Sequence, residues 1–291
     1  MSKTIILGRR FDEERALFGC EDLNLEGVAF AGPADGESAL KECRSLQVRD
    51  TLFDLRYPLW HDQGVSLVRC TLTEGCRAAL WYSRDVRVSD SRLMGIKALR
   101  ECDNVSIDAS EVVSPEFGWN CRGVRVDGGS ISSEYAFMHA RDLSLHDVDF
   151  CGKYSFQYTE HVRVEGGFFD TKDAFWHASD VVVRNATLKG EYLGWYSRNL
   201  TLINCRIEGT QPFVHCEGLK LVNCEMVGCD LAFEACDVQA DVRGHIDSIR
   251  DPRSGLIVAD SVGELVHDTQ RPFGAQLVIR EDPFDCSCAC A

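Results

Sequence analysis

The sequence predicts an all-β chain wound as a right-handed, single-stranded parallel β-helix of about twelve coils. Three observations predict it: a nineteen-residue repeat, apolar pairs too short for helices, and turn-forming residues at fixed places in every repeat.

The repeat starts on an apolar residue at Leu23, Leu46, Val65, Val86, Val105, Val124, Leu143, Val162, Val181, Leu200, Leu219 and Val238; from Val86 every step is nineteen. Two positions on stands a second apolar residue (Val88, Ile107, Val126, Leu145), and five further on a third (Leu93, Val112, Ile131, Phe150). Gly, Asp or Asn usually precedes the start (Asp85, Asn104, Gly123, Asp142) and often follows it by four (Asp90, Gly128, Asp147, Asn185). These residues tolerate positive φ, so each repeat reads as short strands separated by turns. A leucine-rich repeat has a similar period, but its consensus is absent. Twelve coils at roughly 4.8 Å each give a solenoid about 55–60 Å long.

The expected organisation is an N-terminal cap over 1–22, the helix over 23–243, a C-terminal cap over 244–280 and a flexible tail over 281–291 carrying Cys286, Cys288 and Cys290. The charged run IDSIRDPRSGLIVAD (246–260) breaks the repeat, as a cap over an open solenoid end would.

Hydrophobic residues make up 45% of the chain, enough for a core, and the net charge is −15. That charge argues against nucleic acid and anionic membranes, and makes polyanionic substrates awkward without a local cation. No apolar window has the length of a membrane span, and no signal-like segment stands at the start. With fifteen cysteines and no export signal, the expected location is the cytoplasm, with free thiols. Cys43, Cys102, Cys121 and Cys216 share one small-residue slot with Ser83, Ala140, Thr159, Ala178 and Ser197, so they read as core filler. No metal site and no cofactor is expected.

Two rows carry the candidate chemistry. The fifth residue before each start holds all five tryptophans (Trp60, Trp81, Trp119, Trp176, Trp195), and also Lys41, Arg100, Val214 and Phe233. Charged members of the row imply that it faces outward. The fourth before reads Glu42, His61, Tyr82, Glu101, Asn120, His139, Tyr158, His177, Tyr196, His215, Glu234. One reading makes this polar row a hydrogen-bonded ladder shielded by tryptophan. The other makes it a ligand face, with Trp81, Trp119, Trp176, Trp195, His139 and His215 binding sugar rings.

ERALF (14–18), YPLW (57–60), ALWYS (79–83), KDAFW (172–176), GEYLGWYSRNLTLINC (190–205), LAFE (231–234) and IDSIRDPRSGLIVAD, in that order, resemble an uncharacterised bacterial domain-of-unknown-function family of pectin-lyase-like β-helices. The resemblance runs from about residue 11 to 268 and implies the same fold. It implies no activity and no catalytic residues. The polygalacturonase pattern is absent, and no adjacent coils carry paired acids in the polar row, as a glycosidase would need. A lyase or epimerase using Tyr158, His177 and Tyr196 for proton transfer survives that screen.

The function expected from the sequence is a binding or assembly scaffold with an aromatic outer face, carbohydrate being the favoured ligand class. The alternatives are a saccharide lyase or epimerase, and a homo-oligomer interface on the tryptophan face.

Overall fold

The computed structural model describes residues 4–268 and 273–280. The chain is a right-handed parallel β-helix of about fourteen turns at the nineteen-residue spacing. The two additional turns come from stretches expected to be caps: Thr4–Leu7 pairs with Glu21–Glu26, and Ser254–Ala259 pairs with both Asp237–Arg243 and Ala275–Ile279. The cysteine tail lies outside the described residues.

Each coil has three sides. The first is a six-residue strand, such as Asp103–Asp108, Arg122–Asp127 or Glu160–Glu165. Val105 pairs with Val124, then Leu143, Val162, Val181 and Leu200, in parallel register. The second side runs from Arg10–Phe11 at one end to the last residues of Leu219–Val227 at the other. The third is shortest, two residues long at Leu59–Trp60, Leu80–Trp81 and Gly194–Trp195.

Left-handed residues recur at several places in each coil, three of them the rows described next, and explain why the chain can turn so sharply. Before the start, Asp85, Asn104, Asp142, Asp180 and Asn199 have φ of 53–57°. Four after it, Asp50, Asp90, Asp147 and Asn185 lie at 47–54°. The third corner is the polar row: His139, Tyr158, His177, Tyr196 and His215 have φ between 53° and 56°. β-Branched residues resist this conformation, which accounts for their absence there.

Inside, like residues stack on like. Phe137, Phe156 and Phe175 are buried and their rings stack at 5.5 and 5.1 Å; Phe30 and Phe53 stack at 5.0 Å. Gly118 takes the place of a phenylalanine one coil before Phe137, because a Cβ there would stand 2.5 Å from the Phe137 ring. Each buried phenyl contributes roughly 1.5–3 kcal/mol through its removal from water.

The small-residue slots do more than fill space. The backbone N–H of Cys43 donates to Asp62 Oδ1 at 2.7 Å, and that of Asp62 to Ser83 Oγ at 3.1 Å. Cys102 and Cys216 donate to the sulfurs of Cys121 and Cys236 in the next coil. In a second slot Cys70 and Ser91 donate to the hydroxyls of Ser91 and Ser110. Side chains with a short acceptor thus satisfy peptide groups that would otherwise be orphaned in the core. Ten of the described cysteines are buried and free; Cys151 is exposed.

In the coil before Val238 the repeat lengthens by one. Val214 pairs with Glu234, twenty residues on, and Phe233 stacks on Phe213 in the core at 6.1 Å. Phe233 therefore does not belong to the outward row, nor Glu234 to the polar row; Ala235, at φ 52°, takes the corner. A buried phenyl gains more than an exposed one, and the register follows it.

Candidate functional site

Left-handed corners on consecutive coils hold the polar row in line, and its rings meet face to face. His139, Tyr158, His177, Tyr196 and His215 stack in that order at 4.9, 5.2, 5.1 and 4.8 Å, with interplanar angles of 10–18°. His61 and Tyr82 repeat the motif at 4.9 Å. Aromatic pairs of this kind add about 0.5–1.5 kcal/mol each beyond burial. Stacking uses up the ring faces, so the ladder offers solvent its edges: imidazole nitrogens and phenol hydroxyls alternating at the coil spacing. The three residues proposed for proton transfer, Tyr158, His177 and Tyr196, are thus neighbours, with His177 between the two phenols.

The tryptophans occupy the third side, as the repeat predicts, and are half-buried. Trp60 donates its indole N–H to the Ala78 carbonyl, and Trp119 donates to that of Tyr135. The indole nitrogens of Trp81, Trp176 and Trp195 are buried without a partner among the described residues. Arg100 lies between two indoles, its guanidinium carbon 5.1 Å from the Trp81 ring and 4.8 Å from Trp119. The Arg100 charge is therefore covered by aromatic faces, and Glu116 lies 3.3 Å from the guanidinium. A further tyrosine row, invisible until the coils are stacked, flanks the strip: Tyr57 packs on Trp60, Tyr135 on Trp119 and Tyr192 on Trp195.

A concavity of about 390 Å³ lies beside the ladder, lined by Glu160, His177, Ser179, Tyr196, Arg198, His215 and Glu217. It brings together His177, Tyr196 and His215 of the predicted residues; the tryptophans are not part of it. Glu160 is paired with Arg141 at 3.2 Å and Glu217 with Arg198 at 3.4 Å.

Sequence reasoning missed the other concave surface, on the outer side of the first face. Pairing there skips the left-handed residue: Arg84 meets Asp103 and Val86 meets Val105, while Asp85 and Asn104 fall out of the ladder. The resulting bend recurs from coil to coil, as a bulge that re-aims side chains would. Hollows of about 430, 550 and 600 Å³ lie over it. The signal was available in the residue after each start, a row the apolar pattern does not draw attention to.

The chain belongs to the family described as protein of unknown function (DUF3737), whose profile matches residues 4–279. No functionally curated protein matches it. Among solved structures it is similar to a surface adhesin of Streptococcus pneumoniae, at 13% identity and a TM-score of 0.37, over 94% of this chain and 81% of that one. It is also similar to the A-module of a mannuronan C-5 epimerase of Azotobacter vinelandii, at 10% identity and a TM-score of 0.30, over 97% and 80% of the two chains.

Proposed function

We propose that the protein is a saccharide-binding scaffold that lays an extended sugar chain along the solenoid axis. The observation that carries this reading is the repetition of polar ring edges from His139 to His215 beside an open concavity. A solenoid offers the same contact about every 4.8 Å. A ligand that itself repeats at about the length of one sugar ring can use each contact in turn, while the cost of association is met once. Hydroxyl-rich sugars match edges that donate and accept hydrogen bonds better than an apolar partner does.

The test is calorimetric titration with neutral 1,4-linked oligosaccharides of increasing length, alongside oligosaccharides bearing carboxylates. Affinity should rise with length and level off. His177→Phe keeps an aromatic ring in the stack but removes the imidazole edge, so it should keep the melting temperature and weaken binding. Binding that ignores length, or none to any saccharide, would overturn the reading.

A second reading, proton transfer by His177 and Tyr196, is favoured by their shared place in the same concavity. It requires an unsaturated or epimerised product on incubation with the bound saccharide, abolished in His177→Phe; binding without turnover excludes it.

A further inference from the structure

On the outer side of the first face, six consecutive coils present Ser66, Arg87, Ser106, Arg125, Ser144 and Arg163, each paired in register with the next. The alternation is strict across all six. Ser66, Arg87 and Ser106 line the hollow of about 430 Å³, and Arg125, Ser144 and Arg163 that of about 600 Å³.

These arginines are unusual in a chain of net charge −15. Arg87 and Arg163 make no hydrogen bond or ion pair among the described residues, although carboxylates stand nearby. The neighbouring acids are engaged along their own row: Asp85 accepts the Asn104 amide at 2.6 Å, Asp180 accepts Asn199 at 2.9 Å, and Asp142 lies 3.2 Å from His161 and 3.3 Å from Arg122. Arg125 is partly engaged, at 2.8 Å from Asp127 on its own strand. The valley thus keeps exposed guanidinium groups whose planar forks suit carboxylate or sulfate oxygens.

Their spacing carries the rest. Guanidinium groups on every second coil recur at about 9.6 Å, twice the coil rise. A sugar chain advancing by about one ring per coil would meet a cation at alternate sugars and a serine hydroxyl at the ones between. Resting on the saccharide reading above, we infer that the ligand of this face is a linear polysaccharide with an anionic group on alternate sugars, one per disaccharide. A polymer charged on every sugar would set half its anions against serine, under the repulsion of the acidic surface.

The experiment compares three probes of about ten sugars: a hyaluronan oligosaccharide, with a carboxylate on every second sugar; oligogalacturonate, with one on each; and a neutral cello-oligosaccharide. The hyaluronan probe should bind tightest and weaken with added salt, and Arg87→Ala and Arg163→Ala should each cost it about tenfold or more. Ser106→Arg with Ser144→Arg, which fills the gaps, should shift preference toward oligogalacturonate. All four positions are on the surface, and an unchanged melting temperature shows the variants are folded. If the neutral probe or oligogalacturonate binds at least as well as hyaluronan, or the arginine variants leave its affinity unchanged, the inference falls while the saccharide reading stands. Equal binding of a single-stranded oligonucleotide would also overturn it, as simple anion attraction. If no saccharide binds the wild type, both fall together.

Discussion

Inside the solenoid the Asp62 carboxyl accepts the Cys43 peptide N–H at 2.7 Å, while its second oxygen has no partner among the described residues. The residue is 1% exposed, and burial pushes its pKa up to about 8. Cys43 and Ser83 stand on either side, with Cys102 and Glu42 the acidic groups that raise it further. A carboxyl whose pKa rises on folding weakens the native state wherever the unfolded chain has already lost its proton. Its stability contribution is intact below about pH 4, declines as pH rises toward 8, and stays lost above. The full effect is on the order of 5 kcal/mol. Asp62→Ser, which keeps an acceptor for Cys43 as Ser83 does for Asp62, should raise the denaturation midpoint at pH 8 and leave it nearly unchanged at pH 4. Parallel pH profiles for the two proteins would count against a buried, protonated Asp62.

Arg100 is held between Trp81 and Trp119 and reaches Glu116 and Glu101. Its removal exposes two indole faces and leaves Glu116 with only Lys97, at 3.6 Å. Arg100→Ala should cost about 1–3 kcal/mol in urea unfolding, and Arg100→Lys should recover only part, because an ammonium does not stack as a planar guanidinium does. Full recovery by lysine would mean that charge alone matters.

His177 stacks on Tyr158 and Tyr196 at a left-handed corner. His177→Ala loses three ring contacts, to Tyr158, Tyr196 and the Trp176 indole, and places alanine at φ 53°, so a loss of about 1–3 kcal/mol is expected. His177→Asn tolerates the corner but lacks the ring and should fall between the two. Thermal melts of the three proteins separate stacking from backbone strain: if asparagine matches histidine, the stack adds nothing measurable.

Phe156 has no exposed surface and stacks between Phe137 and Phe175. Phe156→Ala should cost about 3–5 kcal/mol, because flanking coils cannot close the gap without breaking their own register. Phe156→Leu should cost less than half of that. A loss under 1 kcal/mol for alanine would show that the core relaxes along the axis.

Period, handedness and core rows were legible because a coil is a local object: nineteen residues close on themselves, and burial leaves its mark at fixed offsets from Val86 to Leu200. The ends were not. Thr4–Leu7 and Ser254–Ala259 have lost the repeat's consensus, and only pairing with a neighbour reveals them as coils. The last register was misjudged for a related reason. Counting assumes constant spacing, whereas Phe233 moves by one residue to reach the core beside Phe213.

By itself the sequence determined the β-helix, the gathering of the tryptophans in one row and the alternation of histidine with tyrosine, since periodic patterning survives in one dimension. Tertiary structure alone decided which side of each ring is used. Parallel coils lie close enough for the faces from His139 to His215 to close on one another, leaving edges for recognition. It decided too that a thiol or carboxyl in a small-residue slot accepts a peptide hydrogen from the coil before. It also placed Arg87 and Arg163 in a valley with their charge unspent, because the local bends at Asp85 and Asp142 join into a continuous hollow only when coils are laid side by side.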